Sequence, residues 1–295
     1  MARIAILSIA TIGTLALAGC APSVQADDGR LRVVASTNVY GSIAEAIGGD
    51  LVEVTSIIDN PSQDPHSFEG DARTQLALSK ASIVIENGGG YDDWADTLLA
   101  GADNADATVL NVADISGYDQ SEGFNEHLWY DFPTMQKLVT SISDELSTLS
   151  PDDAATFASN AEALTSELQA LEAREAALAD IVDGAGAAIT EPVPLYLLTA
   201  SGFTNVTPPQ FSEAIEEGTD VSPTVLQQTL DLFTGHTATV LVYNEQTTGP
   251  ETEKVLAAAS DNGVAVVPVT ETMPAGTDYV GWMGENMTAL EDVVK

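Results

Sequence analysis

Short apolar runs alternate with amphipathic stretches along most of this chain. "LRVVAS" and "LVEVTSII" carry the β-branched residues of strands, and "SIAEAIGG" between them has helical spacing and stops at glycine. "ARTQLALSK" then predicts a helix, "SIVIEN" a strand, "YDDWADTLLA" a helix and "ATVLNV" a strand. The alternation returns after a long middle section. "VPLYLLT" predicts a strand, "PQFSEAIEEG" and "SPTVLQQTLDLFTG" helices, and "TATVLVYN" a strand. "GPETEKVLAAASDNG" then reads as a helix, "VAVVPV" as a strand and "DYVGWMGENMTALEDVV" as a closing helix. Strands alternating with helices predict βαβ units, and hence parallel sheets covered on both faces.

The middle section has a different pattern. No glycine interrupts residues 134–181, and Pro151 is their single proline. Ser150 and Pro151 followed by Asp152 and Asp153 have the character of a helix start, with a cap, a proline in the first turn and acids beside it. Apolar residues at Ala155, Leu164, Leu168, Leu171 and Leu178 recur at helical spacing, over a helix of about 30 residues and about 45 Å. The predicted fold class is therefore α/β: two lobes, each a parallel β-sheet flanked by helices, joined by one long rigid helix. The lobes are expected at 31–150 and 184–295, with the linking helix at 151–183. A chain of 295 residues has room for two such cores, and 44% hydrophobic with 18% charged residues is a globular balance.

The first thirty residues stand apart. "MARIAILSIATIGTLALAGC" has a short basic start, an apolar run and a small-residue ending, which favours a signal peptide at 1–19 over a spanning helix. Its Leu17-Ala18-Gly19-Cys20 ending resembles the lipobox of bacterial lipoproteins. That resemblance implies lipidation at Cys20, a tether over 20–30 and an extracytoplasmic protein anchored to the cell membrane. Cys20 is the only cysteine, which excludes an intramolecular disulfide and a thiolate metal cluster.

Charge narrows the partners. Forty-five acidic residues against nine Lys and Arg leave a net charge of −36, a surface that repels phosphate backbones and argues against nucleic acid. The same balance suits a saline exterior. A solvated acidic surface accounts for nearly all of these carboxylates, so few of them are candidate ligands.

The chain has three histidines. His236 lies in a helix-to-strand turn after Gly235 and reads as a surface or capping residue. His66, in "DPHSFEG", follows a proline that stiffens its approach. His127, in "NEHLWYDFP", is again in a loop, beside Glu126. Taken singly, each is more often an ordinary loop residue. Both of the latter follow β/α elements of the first half, where loops gather at the carboxyl edge of a parallel sheet. Two imidazoles converging there suit Zn²⁺ or Mn²⁺.

"DPHSFE", "EHLWYD", the long helix with "SPDDAATFASNAEAL", "VLVYNEQTTGPETEKV" and "VTETMPAGTDYVGWMGENM" together resemble the solute-binding lipoproteins of bacterial ABC importers for zinc and manganese. The resemblance covers essentially the whole chain after the tether. It implies capture of Mn²⁺ or Zn²⁺ as transported ligand, delivery to an ABC permease, a monomer and no enzymatic chemistry. It also implies His66 and His127 as metal ligands from the first lobe. In the second lobe it implies Glu191, at the start of the "VPLYLLT" strand, and Asp278, in "GTDYVGWM". Without it, Glu191 reads as a strand-edge carboxylate and Asp278 as a helix N-cap. Two imidazoles and two carboxylates give a site of net charge zero around a divalent cation, which makes burial between lobes tolerable. Oxygen-rich ligation leans to Mn²⁺, a tight four-ligand shell equally suits Zn²⁺. The loop "DISGYDQSEGFNEH" has no extra histidine, unlike the His-rich loop of many zinc members. Competing readings are a receptor for a chelated metal or other small ligand, a metal-dependent hydrolase and a surface adhesin. Against the hydrolase stand the absence of HExxH and of G-x-S-x-G. With no flexible hinge in the linking helix, small shifts on binding are expected, mainly in ligand loops of the second lobe.

Overall fold

The structure is a computed structural model that describes residues 29–295 except 64, 67 and 122. The signal peptide, Cys20 and all but the end of the tether lie outside the described residues. The first half contains β1 (Leu31–Thr37), α1 (Asn38–Gly48), β2 (Val52–Ile58), α2 (Ala72–Leu78) and β3 (Ile83–Glu86). It continues with α3 (Trp94–Gly101), β4 (Thr108–Asn111), α4 (Val112–Ser116) and α5 (Phe132–Leu149). The long helix α6 (Ala154–Val182) follows, entered through a 3₁₀ turn at Pro151–Asp153. The second half contains β5 (Gly186–Ile189), α7 (Leu195–Ala200), β6 (Thr204–Asn205), α8 (Pro209–Glu216) and α9 (Pro223–Thr234). It ends with β7 (Val240–Asn244), α10 (Pro250–Asp261), β8 (Ala265–Val269) and α11 (Tyr279–Val293).

The two halves repeat one topology. Parallel sheets run in the order β2-β1-β3-β4 and β6-β5-β7-β8. Val33 of β1 sits between Val54 and Ile83, and Leu241 of β7 between Ala188 and Val266. All residues of β3 and β7 are buried, and both read as apolar runs that end in one polar residue, Glu86 and Asn244. In each sheet the strand order reverses beside its first strand, and the loops leaving the carboxyl edge there open a crevice.

The long helix is present, with a stripe that differs in part from the expected one. Phe157, Ala161, Leu164, Leu168, Leu171, Glu175, Leu178 and Val182 are buried, at alternating steps of four and three residues. Ala155 is exposed and lies off that stripe. α6 packs against α5, α1, α7 and α11, and one apolar cluster runs from Val33 and Ile83 through Leu168 to Val242 and Trp282. The sheets thus share a core across the helix.

One strand was misplaced by the apolar pattern. "VPLYLLT" folds as α7, and the strand at this point is β5, "GAAI". A run of apolar residues has no periodicity that separates strand from helix, and Pro192 and Pro194 just ahead of it are helix-entry residues. β5 was hidden by its small side chains, Ala187 and Ala188, both wholly buried. Among the described residues no helix is long and apolar enough to cross a membrane.

Candidate metal centre

His66 hangs from the loop after β2. The indole N–H of Trp94 donates to the Pro65 carbonyl at 3.0 Å, and Trp94 itself packs on Phe68 with ring centroids 4.6 Å apart. The imidazole stands edge-on to Tyr91, 4.8 Å between centroids, with its side chain 28% exposed. Pro65, Trp94 and Tyr91 thus hold loop and ring from the first lobe.

His127 is held more tightly, and in a defined tautomer. Asn125 Oδ1 accepts from the His127 backbone N–H at 3.1 Å and lies 2.7 Å from Nδ1. The Asn125 Nδ2 donates to the Pro192 carbonyl at 3.1 Å, which fixes the amide's orientation. Nδ1 therefore carries the hydrogen, and the Nε2 lone pair faces away from Asn125. The residue is wholly buried against Trp129, and Nε2 has no hydrogen-bond partner among the described residues. Burial first and nearby His66 second hold this imidazole well below its usual pKa, so it is a neutral donor at physiological pH.

The second lobe supplies carboxylates. Glu191 is almost fully buried two residues beyond β5, not at the start of a strand, because β5 ends before it. Asn244, the last residue of β7, donates through Nδ2 to Glu191 Oε2 and also to Glu271 Oε1, the latter at 2.9 Å. One amide thus ties two acids together. Its own oxygen accepts from the Gln246 N–H at 3.0 Å, which again assigns the orientation. Glu271 leaves the end of β8 with its backbone N–H on Gln246 Oε1 at 2.6 Å. Its Oε2 lies 4.0 Å from His66 Nε2.

Two further acids close the cluster. Glu216, the last residue of α8, brings Oε1 to 3.5 Å from His127 Nε2. Glu126 adjoins His127, and its carbonyl accepts from Asn87 Nδ2 at the end of β3 at 3.0 Å. One ligand atom from each of His66, His127 and Glu271 lies within 4.8 Å of the other two. The same is true of His66, Glu126 and Glu216.

The fold brings more acids to this region than the expected pair of carboxylates. Four carboxylates approach this region, and the repulsion among them favours protonation of Glu216. Burial first, then the charges of Glu126, Glu191, Glu271 and Glu217, push the Glu216 carboxyl up to about 9. Burial also raises Glu126, while His66 opposes the shift. A divalent cation does what these protons do, with more charge and fixed geometry.

Asp278 is not brought into the cluster. It is exposed, and its Oδ1 accepts from the Gly281 N–H at 2.8 Å as the N-cap of α11. His236 is exposed in a left-handed turn, φ 53°, as a turn residue. Glu271 could have been found by the argument that selected His66, since "VTET" follows directly on the strand "VAVVPV" at a carboxyl edge. Glu216 carries no such mark, sitting in "EAIEEG" among many surface acids. Asn125 and Asn244 were missed because amides that aim a ligand leave no spacing pattern.

Two α/β lobes of equal topology, braced by one helix and facing a nest of imidazoles and carboxylates, define a two-lobed solute-binding protein with a cation-type site. The chain belongs to the family described as zinc-uptake complex component A, periplasmic (ZnuA), whose profile matches residues 33–293. It is 29% identical over 176 residues to the manganese-binding lipoprotein MntA of Halalkalibacterium halodurans, a match covering 58% of each chain. It is 27% identical over 188 residues to the zinc-binding lipoprotein AdcA of Streptococcus pneumoniae, covering 58% of this chain and 37% of that one. The matched stretch thus spans little more than half of the first relative's length. Among solved structures, the periplasmic zinc-binding protein TroA of Treponema pallidum matches with a TM-score of 0.74 at 18% identity. That match covers 90% of this chain and 99% of TroA. The Mn²⁺ complex of FpvC from Pseudomonas aeruginosa matches at 0.72 and 23%, covering 90% and 98%. At these identities the likeness establishes the fold.

Proposed function

We propose that this protein is the extracytoplasmic receptor of an ABC importer, capturing Mn²⁺ or Zn²⁺ between its lobes and delivering it to a membrane permease. One observation carries the reading. A wholly buried, neutral imidazole is locked with its lone pair directed at carboxylates and has no hydrogen-bond partner there. A buried polar atom left so is costly unless something binds it, and the binder that suits a nitrogen lone pair among carboxylates is a cation. The relatives' names support the choice of cargo, two manganese-type lipoproteins and a zinc-type one being similar to this chain.

The ligand set is His66, His127, Glu191 and Glu271, with Glu271 in the place expected of Asp278. His66 and His127 come with the first lobe, about 31–150, and the two acids with the second, about 184–295, braced by 151–183. The protein acts as a monomer held to the membrane through lipid on Cys20, and it performs no covalent chemistry.

Calorimetric titration of the chelator-stripped protein with MnCl₂ and ZnCl₂, beside His66→Ala, tests the reading. One tight equivalent is expected, lost or weakened at least tenfold in the variant. Weak binding at many sites, equal in both proteins, would mean that the acidic surface takes up the metal and would end the receptor assignment.

A further inference from the structure

We infer that Glu216, delivered by α8, is itself a ligand of the captured cation, so that the shell contains three carboxylates rather than two. The inference rests on the proposed receptor function and adds a residue to it. His127 Nε2 and Glu216 Oε1 are both buried, both without a hydrogen-bond partner among the described residues, and 3.5 Å apart. Facing polar atoms at that distance are too far apart for a good hydrogen bond and satisfy one another poorly. Two ligand atoms that each stand about 2.1 Å from one ion at an angle near 110° are separated by about 3.4 Å. The pair is thus spaced for a shared cation already in this conformation. His66 and Glu271 stand 4.0 Å apart, a separation that the same bond lengths span only at a wider angle of about 145°.

The remaining contacts agree. Glu216 also offers a ligand atom within 4.8 Å of one from His66 and one from Glu126, so the carboxyl opens on the gap that His66 enters. α8 is anchored to the second lobe by Phe211, wholly buried in that lobe's own apolar cluster. Glu216 therefore approaches from an element independent of the Asn244–Glu191–Glu271 network. Two imidazoles with Glu191, Glu271 and Glu216 make a five-ligand, oxygen-rich shell. Such a shell suits Mn²⁺, which accepts five or six mainly oxygen ligands, and exceeds the four that Zn²⁺ needs. Glu216 accordingly contributes more to Mn²⁺ binding than to Zn²⁺ binding.

The test is competition titration of MnCl₂ and ZnCl₂ against a chelator of known affinity, with wild type, His66→Ala, Glu216→Gln and Glu216→Ala. X-ray absorption at the metal edge of each loaded protein supplies the first-shell count. Glu216→Gln keeps the shape of the side chain, and Glu216→Ala removes it. Expected are a Mn²⁺ affinity at least tenfold weaker in both Glu216 variants, a smaller loss for Zn²⁺, and loss of the carboxylate contribution in the Mn²⁺ shell. Wild-type affinity for both metals and an unchanged shell in both variants, with His66→Ala still defective, would overturn the role of Glu216 and leave the receptor function standing. Failure of wild type to bind one equivalent would remove both.

Discussion

Asp278 and Glu271 lie seven residues apart on the same loop, and the sequence reading picks Asp278 as the ligand. The fold separates them by what their oxygens already do. Asp278 spends Oδ1 on the Gly281 N–H and stands in solvent, whereas Glu271 is buried with Oε2 turned to His66. Asp278→Ala should leave Mn²⁺ and Zn²⁺ affinities unchanged and lower stability by about 1 kcal/mol through loss of the cap. Glu271→Ala should weaken binding by at least tenfold. Titration with parallel thermal melts decides it, and the opposite pattern would return the ligand to Asp278. The histidines were legible because a proline-stiffened loop and an aromatic flank are written in neighbouring residues. The fourth ligand was not, because capping and coordination ask for the same carboxylate, and only the course of the loop from 270 to 278 distinguishes them. Glu216 was illegible for a further reason. It becomes special through the meeting of α8 with a loop some ninety residues earlier in the chain, which no local pattern records.

At the scale of elements, α6 shows how a strong pattern can carry an internal exception. Its buried stripe is regular enough to be read from leucines alone, yet one of its eight positions is Glu175, only 5% exposed. Burial first, then the charges of Glu172 and Asp131, push that carboxyl up to about 8 from 4.5. The native state therefore holds this proton more tightly than the unfolded chain. Stability then falls as pH rises from about 4.5 to about 8 and is flat beyond, because the unfolded chain ionises first. Glu175→Gln removes this dependence. Melts in a chelating buffer should show equal midpoints for the variant and wild type near pH 4. By pH 9 the variant should gain at least about 1 kcal/mol, or roughly 3 °C. A variant less stable than wild type at pH 9 would show that the ionised acid is welcome there. β5 and α7 mark the other limit of the pattern. Small buried residues made a strand look like a linker, and the four-residue apolar run Leu195–Leu198 made a short helix look like a strand.

Across the whole molecule, the arrangement argues for capture without large closure. The core passes from one sheet through α6 to the other, and a wide interlobe seam is hydrogen-bonded directly. The Asn38 side chain pairs both ways with the Met273 backbone, at 2.8 and 3.1 Å, and the Tyr130 hydroxyl donates to the Thr270 carbonyl at 2.8 Å. The Tyr279 hydroxyl donates to the Trp129 carbonyl at 2.6 Å, and Gln246 Nε2 to the Pro61 carbonyl at 2.8 Å. Opening the lobes as rigid bodies would break these bonds together, at about 1 kcal/mol each before any apolar surface is exposed. A cation entering a cluster of four acids needs no such opening, since the repulsion it relieves is local to the ligand side chains. Metal-free and metal-loaded protein should therefore give superimposable small-angle scattering curves. Hydrogen exchange should slow only at loops 59–70, 124–127 and 191–194, at the end of α8, and at 270–273. A contraction on loading, with protection gained along α6 and the whole seam, would mean that the free protein opens about its helix, and that the bonds seen between the lobes belong to the bound state.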